Sequence, residues 1–230
     1  MPAPDRGRDF LLRAVIFANG LLSGLPAIEA AIQKDDLLIA ADGGAIHCLN
    51  FGLTPRFVVG DFDSLSTETV QTLERLGAKL VVYPVRKDFT DLELALQLAH
   101  SQGAEVAVVL GALGNRWDMT LANLLLPAYE AFSALTIRLV DGNQEISLVR
   151  AGKTGSFYGE PGDIVSLIPL GGAASGITTN GLEYPLEHGT LEFGSSRGVS
   201  NVLIGQQATV ELEMGMLLSV IIHKKEEKNV

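Results

Sequence analysis

The chain contains 230 residues, of which 47% are hydrophobic and 19% are charged, and this composition excludes a disordered or low-complexity protein. Its formal net charge of −10 excludes the broad basic face that nucleic-acid binding requires, although a nucleotide whose phosphates arrive with a metal ion stays compatible with it. The single cysteine, Cys48, allows no intrachain disulfide, and the amino-terminal residues lack a long apolar stretch, so we expect a cytoplasmic protein with neither a signal peptide nor a membrane span.

In the first part of the chain, short apolar runs alternate with stretches of helical spacing. The runs predict β-strands at residues 11–18, 37–41, 57–60, 79–83, 105–111 and 135–140. The stretches predict helices at residues 25–33, 45–51, 66–76, 91–100 and 117–132. Such alternation is typical of a mostly parallel sheet with helices on both faces. Because right-handed crossovers place the strand-to-helix loops on one edge, residues that follow different strands would meet there.

After Asp141 the pattern changes to short apolar runs separated by glycine-rich turns, at residues 144–149, 164–169, 190–193, 207–213 and 217–223. This pattern indicates antiparallel β structure. We therefore predict two domains. Residues 1–141 would form an α/β domain with a Rossmann-like, mostly parallel sheet, and residues 142–230 would form an antiparallel β-sandwich.

Five aspartates follow three of the predicted strands: Asp42, then Asp61 and Asp63, then Asp88 and Asp91. If those strands are parallel neighbours, the carboxylates lie on the edge where open α/β sheets bind ligands. Carboxylates crowded at one edge repel one another unless a cation neutralises them. Pairs of such oxygen ligands suit Mg²⁺, which completes its shell with substrate phosphates. The pattern therefore predicts a Mg²⁺-dependent site for phosphate chemistry.

Helix capping is a competing explanation for both later segments. Asp63 or Ser64 would cap the helix that follows them. Thr90 and Glu93 form a capping box at the start of the next predicted helix. We expect this second cap and a ligand-binding role to coexist, because capping does not explain the adjacent Lys87, which could face an anionic substrate.

Residues 111–118 form a glycine-rich turn between a strand and a helix. The backbone N–H groups at the start of that helix, together with Arg116, make a phosphate-binding feature. Asp118 either belongs to this site or complements the helix dipole as a first-turn acid. Asn19 ends the first strand on the same predicted edge, as a ligand contact or as a simple turn residue.

Taken in chain order, these segments resemble the thiamine pyrophosphokinase family. The matching segments are Ala41-Asp42-Gly43-Gly44-Ala45, Gly60-Asp61-Phe62-Asp63-Ser64, Lys87-Asp88-Phe89-Thr90-Asp91, Gly114-Asn115-Arg116-Trp117-Asp118, Thr178-Thr179-Asn180-Gly181-Leu182-Glu183-Tyr184 and Ser195-Ser196-Arg197-Gly198-Val199-Ser200-Asn201. Each segment alone is a weak signal, but their order along most of the chain is specific.

The resemblance implies a homodimer that transfers the pyrophosphoryl group of ATP to the hydroxyl of thiamine, giving thiamine diphosphate and AMP. It implies that Mg²⁺ and the ATP phosphates are held by the catalytic residues Asp61, Asp63, Asp88 and Asp91. The nucleotide-side contacts that it implies are Asn19, Asp42, Gly43, Gly44, Lys87, Thr90, Arg116 and Asp118. Tyr184 would stack on thiamine, with Ser200 and Asn201 near its ring, in a site built between two subunits.

Three positions depart from the family's pattern. Met119 stands where His or Gln is common, Tyr184 stands where some members carry Trp, and Asn115 occupies a place often held by Gly. These departures concern the details of nucleotide and thiamine contacts rather than the reaction.

Two other functions compete with this interpretation. The first is a glycosyl- or nucleotidyltransferase that uses Asp61 and Asp63 as an Asp-x-Asp metal motif, which leaves residues 88–91 and the β domain unexplained. The second is a non-enzymatic thiamine or nucleotide sensor, against which the complete carboxylate set argues. The simplest alternative is an α/β protein whose aspartates are only caps and turns.

Overall fold

The computed structural model of the protein describes residues 12–22 and 31–224. The first residue of the strand predicted at 11–18 and most of the helix predicted at 25–33 lie outside these ranges. Within them, no helix is long and apolar enough to cross a membrane.

The first half of the chain forms a six-stranded parallel sheet. Its strands are β1 (Arg13–Phe17), β2 (Leu37–Ala41), β3 (Phe57–Gly60), β4 (Lys79–Val82), β5 (Val106–Leu110) and β6 (Thr136–Asp141), in the spatial order β6-β5-β1-β2-β3-β4. Helices α1 (Gly44–Asn50), α2 (Thr67–Arg75), α3 (Asp91–Ser101) and α4 (Trp117–Leu125) follow β2, β3, β4 and β5. In this order β1 lies between β2 and β5, which is a switch point of the kind where open α/β sheets bind ligands.

Helices cover both faces of this sheet because its central strands are apolar on both sides. In β1, Ala14 and Ile16 pack in one core with residues of α3. The alternate residues Val15 and Phe17 pack in another core with residues of α1 and α2. Buried parallel strands of this kind are continuous apolar runs rather than alternating ones, which is why the sequence predicts them well.

The second half is antiparallel. Its strands are β7 (Gln144–Arg150), β8 (Gly155–Tyr158), β9 (Ile164–Pro169), β10 (Ala174–Asn180), β11 (Gly189–Leu191), β12 (Asn201–Val202), β13 (Gln207–Glu211) and β14 (Met216–Ile222). Strands β7, β14, β9 and β12 continue the large sheet beyond β6, and the order β11-β10-β13-β8 forms a second sheet. Residues of both sheets share one apolar core, with Val165 and Leu217 from the first and Ile177 and Val210 from the second. The predicted fold class, a mostly parallel α/β sheet followed by an antiparallel sandwich, is confirmed.

The boundary proposed after residue 141 falls in the hairpin between β6 and β7, where Asp141 pairs with Gln144. The ten-stranded sheet crosses this hairpin without a break, so the two halves share backbone hydrogen bonds. The division into two domains at this point stays a prediction.

One local prediction was wrong, and strands β8, β10 and β12 were not predicted. The helix predicted to reach residue 132 ends at Leu125 and continues as two short 3₁₀ turns, Leu126–Ala128 and Glu130–Phe132. Pro127 explains the end, because proline lacks the N–H that a continuing helix needs. Strand β10 was not predicted because it is rich in polar residues and its pairing with β11 is irregular around Gly176, which has a φ of +64°.

Candidate active site

Three carboxylates from two neighbouring strand ends form an acidic group. Asp42 follows β2, Asp61 and Asp63 follow β3, and each contributes an oxygen that lies within 4.8 Å of the other two. Asp42 is 4% exposed, and among the described residues its Oδ1 has no hydrogen-bond partner. A buried carboxylate without a partner is costly unless a cation compensates it. These oxygen donors therefore fit Mg²⁺, which binds carboxylates and prefers hard oxygen ligands.

The backbone at the acidic group is strained. Asp42 has a φ of +45°, and Phe62, which separates Asp61 from Asp63, has a φ of +63°. Residues other than glycine rarely adopt this left-handed backbone conformation, and each such residue costs about 1–3 kcal/mol of folding free energy. Such strain persists where the surrounding structure enforces it, commonly at ligand sites, so the backbone points to function at the same place as the carboxylates.

Lys87 lies between two of the aspartates. Its Nζ is 3.1 Å from Asp61 Oδ2 and 2.8 Å from Asp91 Oδ1, and its side chain is only 12% exposed. The hydrogen bond from Lys87 lowers the pKa of Asp61. Burial raises the pKa of Asp91, and the negative charges of Asp42 and Asp61 add to this while Lys87 opposes it. Burial alone would lower the pKa of Lys87, but its two carboxylate partners outweigh burial and raise it.

Asp88 and Thr90, from the same predicted segment, take other positions. Asp88 is exposed and belongs neither to the acidic group nor to the wall of the cleft described below. Its neighbour Lys87 takes the inward-facing position in this loop instead. Thr90 is the N-cap of α3, where its Oγ1 accepts a hydrogen bond of 3.2 Å from the backbone N–H of Glu93, so the predicted cap is confirmed. At α2 the cap is Ser66, further along the chain than expected.

A cleft of about 470 Å³ adjoins the acidic group. The loops after β1, β2, β3 and β5 line it, and it therefore lies at the switch point of the sheet. One part of the wall carries the acidic group and Asp91, and residues 18–21 and 111–116 form a second part of the wall. The two loops of this second part are joined by hydrogen bonds from Gly20 N to Gly111 O (2.8 Å) and from Leu21 N to Leu113 O (2.9 Å). A side chain at Gly20 would collide with the carbonyl oxygen of Gly111, so this close approach requires glycine.

Asn19 and Arg116, both expected to contact the nucleotide, line the cleft. The Nδ2 of Asn19 donates to Ser64 Oγ at 3.4 Å, and Ser64 Oγ donates to Asp63 Oδ1 at 3.3 Å, which links the β1 loop to the acidic group. Arg116 pairs with Asp118, with Nη2 2.5 Å from Oδ2 on an exposed surface. This contact lowers the pKa of Asp118 and raises that of Arg116. Asp118 therefore orients Arg116 and is not itself part of the cleft wall.

Gly43 and Gly44 lie behind the cleft wall. A side chain at Gly43 would collide with the amide of Asn19, and one at Gly44 would collide with the carbonyl of Phe17. These two residues let the start of α1 approach the end of β1 closely, and in this way they shape the cleft.

Two polar residues of α4 that the sequence analysis missed hold the glycine-rich loop. Thr120 Oγ1 donates to Gly114 O at 3.2 Å and accepts from Gly114 N at 3.3 Å. Asn123 Nδ2 donates to Ala112 O at 2.6 Å. Both side chains are buried and line the cleft. The available signal was their spacing of three residues, which places two polar side chains on one face of an otherwise apolar helix.

A second pocket, of about 390 Å³, lies in the second half and brings together the three residues expected to contact thiamine. Tyr184 is 66% exposed there. Asn201 bonds the backbone of Tyr184 twice, since its Oδ1 accepts from Tyr184 N at 3.0 Å and its Nδ2 donates to Tyr184 O at 2.7 Å. Ser200 has a φ of +63°, and its N–H donates to Ser166 Oγ at 3.1 Å. Asn201 is therefore a residue that positions Tyr184.

Family models match both halves of the chain. The model described as thiamin pyrophosphokinase, catalytic domain, matches residues 28–139, and the model described as thiamin pyrophosphokinase, vitamin B1 binding domain, matches residues 156–217. Thiamine pyrophosphokinase from Bacillus subtilis (strain 168) is 29% identical over 205 residues, which is 89% of this chain and 96% of that protein. Thiamine pyrophosphokinase 2 from Oryza sativa subsp. japonica is 27% identical over 208 residues, which is 80% of this chain and 77% of that protein.

Solved structures of similar proteins have the same fold. The crystal structure of thiamine pyrophosphokinase from Bacillus subtilis has a TM-score of 0.83 at 28% identity, covering 93% of this chain and all of that one. The crystal structure of thiamin pyrophosphokinase from Geobacillus thermodenitrificans has a TM-score of 0.80 at 28% identity, covering 94% of this chain and 99% of that one. The similarity thus extends over both the parallel and the antiparallel halves.

Proposed function

The chain belongs to the thiamin pyrophosphokinase family, and we propose that it transfers the pyrophosphoryl group of ATP to the hydroxyl of thiamine, giving thiamine diphosphate and AMP. The observation that carries this proposal is the acidic group of Asp42, Asp61 and Asp63 beside a cleft at the switch point of the sheet. Phosphoryl-type transfer depends on positioning and on the neutralisation of charge, and a metal ion held by these carboxylates would supply the neutralisation.

The acidic group is the proposed metal site. Mg²⁺ would be held by Asp42, Asp61 and Asp63, with Asp91 beside them in the cleft. This set differs from the one implied by the resemblance, because Asp42 takes the place of the exposed Asp88. When bound, the metal ion neutralises negative charge on the transferred phosphates.

The residues of the second part of the wall would bind the nucleotide. Arg116 provides a guanidinium at the cleft, and the glycine-rich loop offers backbone N–H groups at the start of α4. In the proposed reaction, the hydroxyl oxygen of thiamine forms a bond to the β-phosphorus, and the bond from that phosphorus to the bridging oxygen of the α-phosphate breaks. AMP leaves with the bridging oxygen. Asp91, which lines the same cleft, is our candidate for holding the proton of the attacking hydroxyl.

A homodimer would complete the thiamine site. Trp117, Leu121 and Leu125 form a stripe along α4 and are 76%, 55% and 51% exposed. Exposed apolar side chains on one helical face support a contact between subunits. The exposed Tyr184 pocket is consistent with this arrangement, because an aromatic platform for the flat thiamine cation binds best when it is covered. We further propose a cytoplasmic location, which the single buried cysteine favours.

The proposed reaction is tested by a time course of AMP and thiamine diphosphate, with purified protein, ATP, Mg²⁺ and thiamine. We expect equal amounts of both products, and none when thiamine is omitted or a chelator is added. Formation of ADP and thiamine monophosphate instead would refute transfer of a pyrophosphoryl group and indicate transfer of a single phosphoryl group. Binding of thiamine without turnover would support the sensor alternative, and hydrolysis of a nucleotide sugar in a parallel assay would support the glycosyltransferase alternative.

A further inference from the structure

The ammonium of Lys87 occupies the acidic edge in a way that the proposed reaction does not explain. It lies 3.1 Å from Asp61 and 2.8 Å from Asp91, and the side chain is nearly buried. Four carboxylates line the cleft, namely Asp42, Asp61, Asp63 and Asp91. Lys87 therefore contributes one positive charge against four negative charges at the place where a divalent cation would bind.

Lys87 and a divalent cation compete for the same carboxylate. Asp61 belongs to the group of three oxygens that fit a metal ion, and its Oδ2 already accepts a hydrogen bond from Lys87. An ammonium a few ångströms away repels a second cation and reduces the negative potential that would attract it. Arg116 also lines the cleft, but its ion pair is with Asp118, which lies outside the acidic group, so Arg116 does not compete with a metal ion for Asp61.

We propose that Lys87 is a built-in counter-ion that keeps divalent cations off the acidic edge until the nucleotide brings one. The triphosphate of ATP adds negative charge and further oxygen ligands, and these restore the attraction for the metal ion that Lys87 reduces. Mg²⁺ commonly binds through one or two carboxylates together with substrate phosphates, and that mode suits a cation that enters with ATP. This inference rests on the proposed use of ATP.

The test is a titration of nucleotide-free protein with Mn²⁺, in which the free ion is measured by electron paramagnetic resonance. The variants are Lys87→Met, which removes the charge, Lys87→Arg, which keeps it, and Lys153→Met, which makes the same change in net charge at an exposed site. We expect Lys87→Met to bind Mn²⁺ at least about tenfold more tightly than the unaltered protein, because the repelling charge is gone. The other two variants should bind as the unaltered protein does.

A second titration in the presence of a non-hydrolysable ATP analogue should raise the Mn²⁺ affinity of the unaltered protein and narrow its difference from Lys87→Met. Weaker or unchanged binding by Lys87→Met would overturn the proposal and leave Lys87 as a structural ion pair. Equal tightening by Lys153→Met would also overturn it, since net charge alone would then be responsible. If Lys87→Met does not fold, Lys87→Gln replaces it with the same expectation.

These titrations involve no turnover, so their result is separate from that of the product assay. A protein that makes no thiamine diphosphate but shows tighter Mn²⁺ binding in Lys87→Met would refute the proposed reaction and retain the counter-ion in the metal-free state. An active protein whose Lys87→Met variant binds Mn²⁺ no more tightly would support the proposed reaction and refute the counter-ion role of Lys87.

Discussion

The acidic edge and the Tyr184 pocket differ in how completely one chain builds them. At the edge, loops from four strands enclose a cleft, and Asp42 is 4% exposed. In the pocket, Tyr184 is 66% exposed, and Arg197, Val199 and Ser200 are exposed as well. On our proposal of a homodimer, this difference means that one subunit organises the chemical centre, whereas a surface of the other subunit would cover the Tyr184 pocket.

If this comparison is right, changes at the acidic edge should affect kcat and changes in the pocket should affect KM for thiamine. The largest effect is expected for Asp42→Asn, which removes a charge from the proposed metal site. We expect kcat to fall by at least about a thousandfold, since such transfers depend on charge neutralisation. Steady-state kinetics measures this, with circular dichroism to establish that the variant folds.

Asp88→Asn is the matched control for Asp42→Asn, because Asp88 is exposed and lies outside the acidic group. Its loss of kcat should be the smaller of the two. An equal loss would favour the ligand set that the family resemblance implies and would contradict the assignment of Asp42 to the metal.

The proposed contact between subunits is tested at the exposed apolar stripe of α4. Leu121→Glu places a charge in the exposed apolar stripe, and we expect the dimer dissociation constant to rise by at least about a hundredfold, as for loss of a central apolar contact. Analytical ultracentrifugation measures this change. Leu76→Glu alters a similarly exposed leucine near the end of α2 and should leave the dimer intact. A monomeric protein with full activity would contradict the shared site.

A smaller effect is expected where Asn201 holds Tyr184. Asn201→Ala removes the two hydrogen bonds to the backbone of Tyr184, each worth about 1 kcal/mol, together with one from Val202 N, so KM for thiamine should rise by about tenfold or more. KM for ATP should change by less than about twofold, because Asn201 does not line the cleft. Asn201→Asp keeps the acceptor and loses the donor. Its KM for thiamine should lie between those of the unaltered protein and Asn201→Ala. Equal changes in both KM values would indicate general disruption of the fold.

The smallest effect on catalysis is expected at Asp163, which lines neither site. Burial alone would raise its pKa, but the N–H groups of Lys224 and Glu160 and the ring of His223 outweigh burial and lower it. Because its pKa is lower in the folded state, the carboxylate stabilises the fold above its unfolded pKa of about 4, and this stability is lost as pH falls.

Asp163→Asn should therefore lower the free energy of unfolding by about 1–3 kcal/mol at neutral pH, and kcat per folded molecule should be unchanged. Its melting temperature should also depend less on pH between about 5 and 3 than that of the unaltered protein. Thermal unfolding over that range checks both expectations. A melting temperature that falls as steeply with acid in the variant would remove Asp163 as the source of the pH dependence.

The sequence predicts best those features that depend on local apolar pattern. Strands β2, β3 and β9 have the predicted bounds because each is a mostly apolar run between turns. Strand β10 and the end of α4 were missed because an irregular pairing and a proline override the pattern. The extension of the large sheet across residue 142 could not be predicted, because it depends on pairing between distant strands.

Within the candidate site, the sequence indicates which loops meet but not where each side chain points. Lys87 was expected to face an anionic substrate, and it contacts Asp61 and Asp91 instead, because the course of its loop decides its direction. The φ of +45° at Asp42 brings that residue into the acidic group, and no local pattern specifies such a conformation. Thr120 resembles an ordinary helix residue until the loop that it holds is known.

The measurement that tests the central claim most directly follows two labels from ATP into the thiamine product. One reaction contains ATP labelled with ³²P at the β-phosphorus, and the other contains ATP labelled at the γ-phosphorus. Transfer of an intact pyrophosphoryl group predicts that both labels appear in thiamine diphosphate in equal yield. Appearance of the γ label alone would mean single phosphoryl transfer and would contradict the account, as would the absence of both labels from the thiamine product.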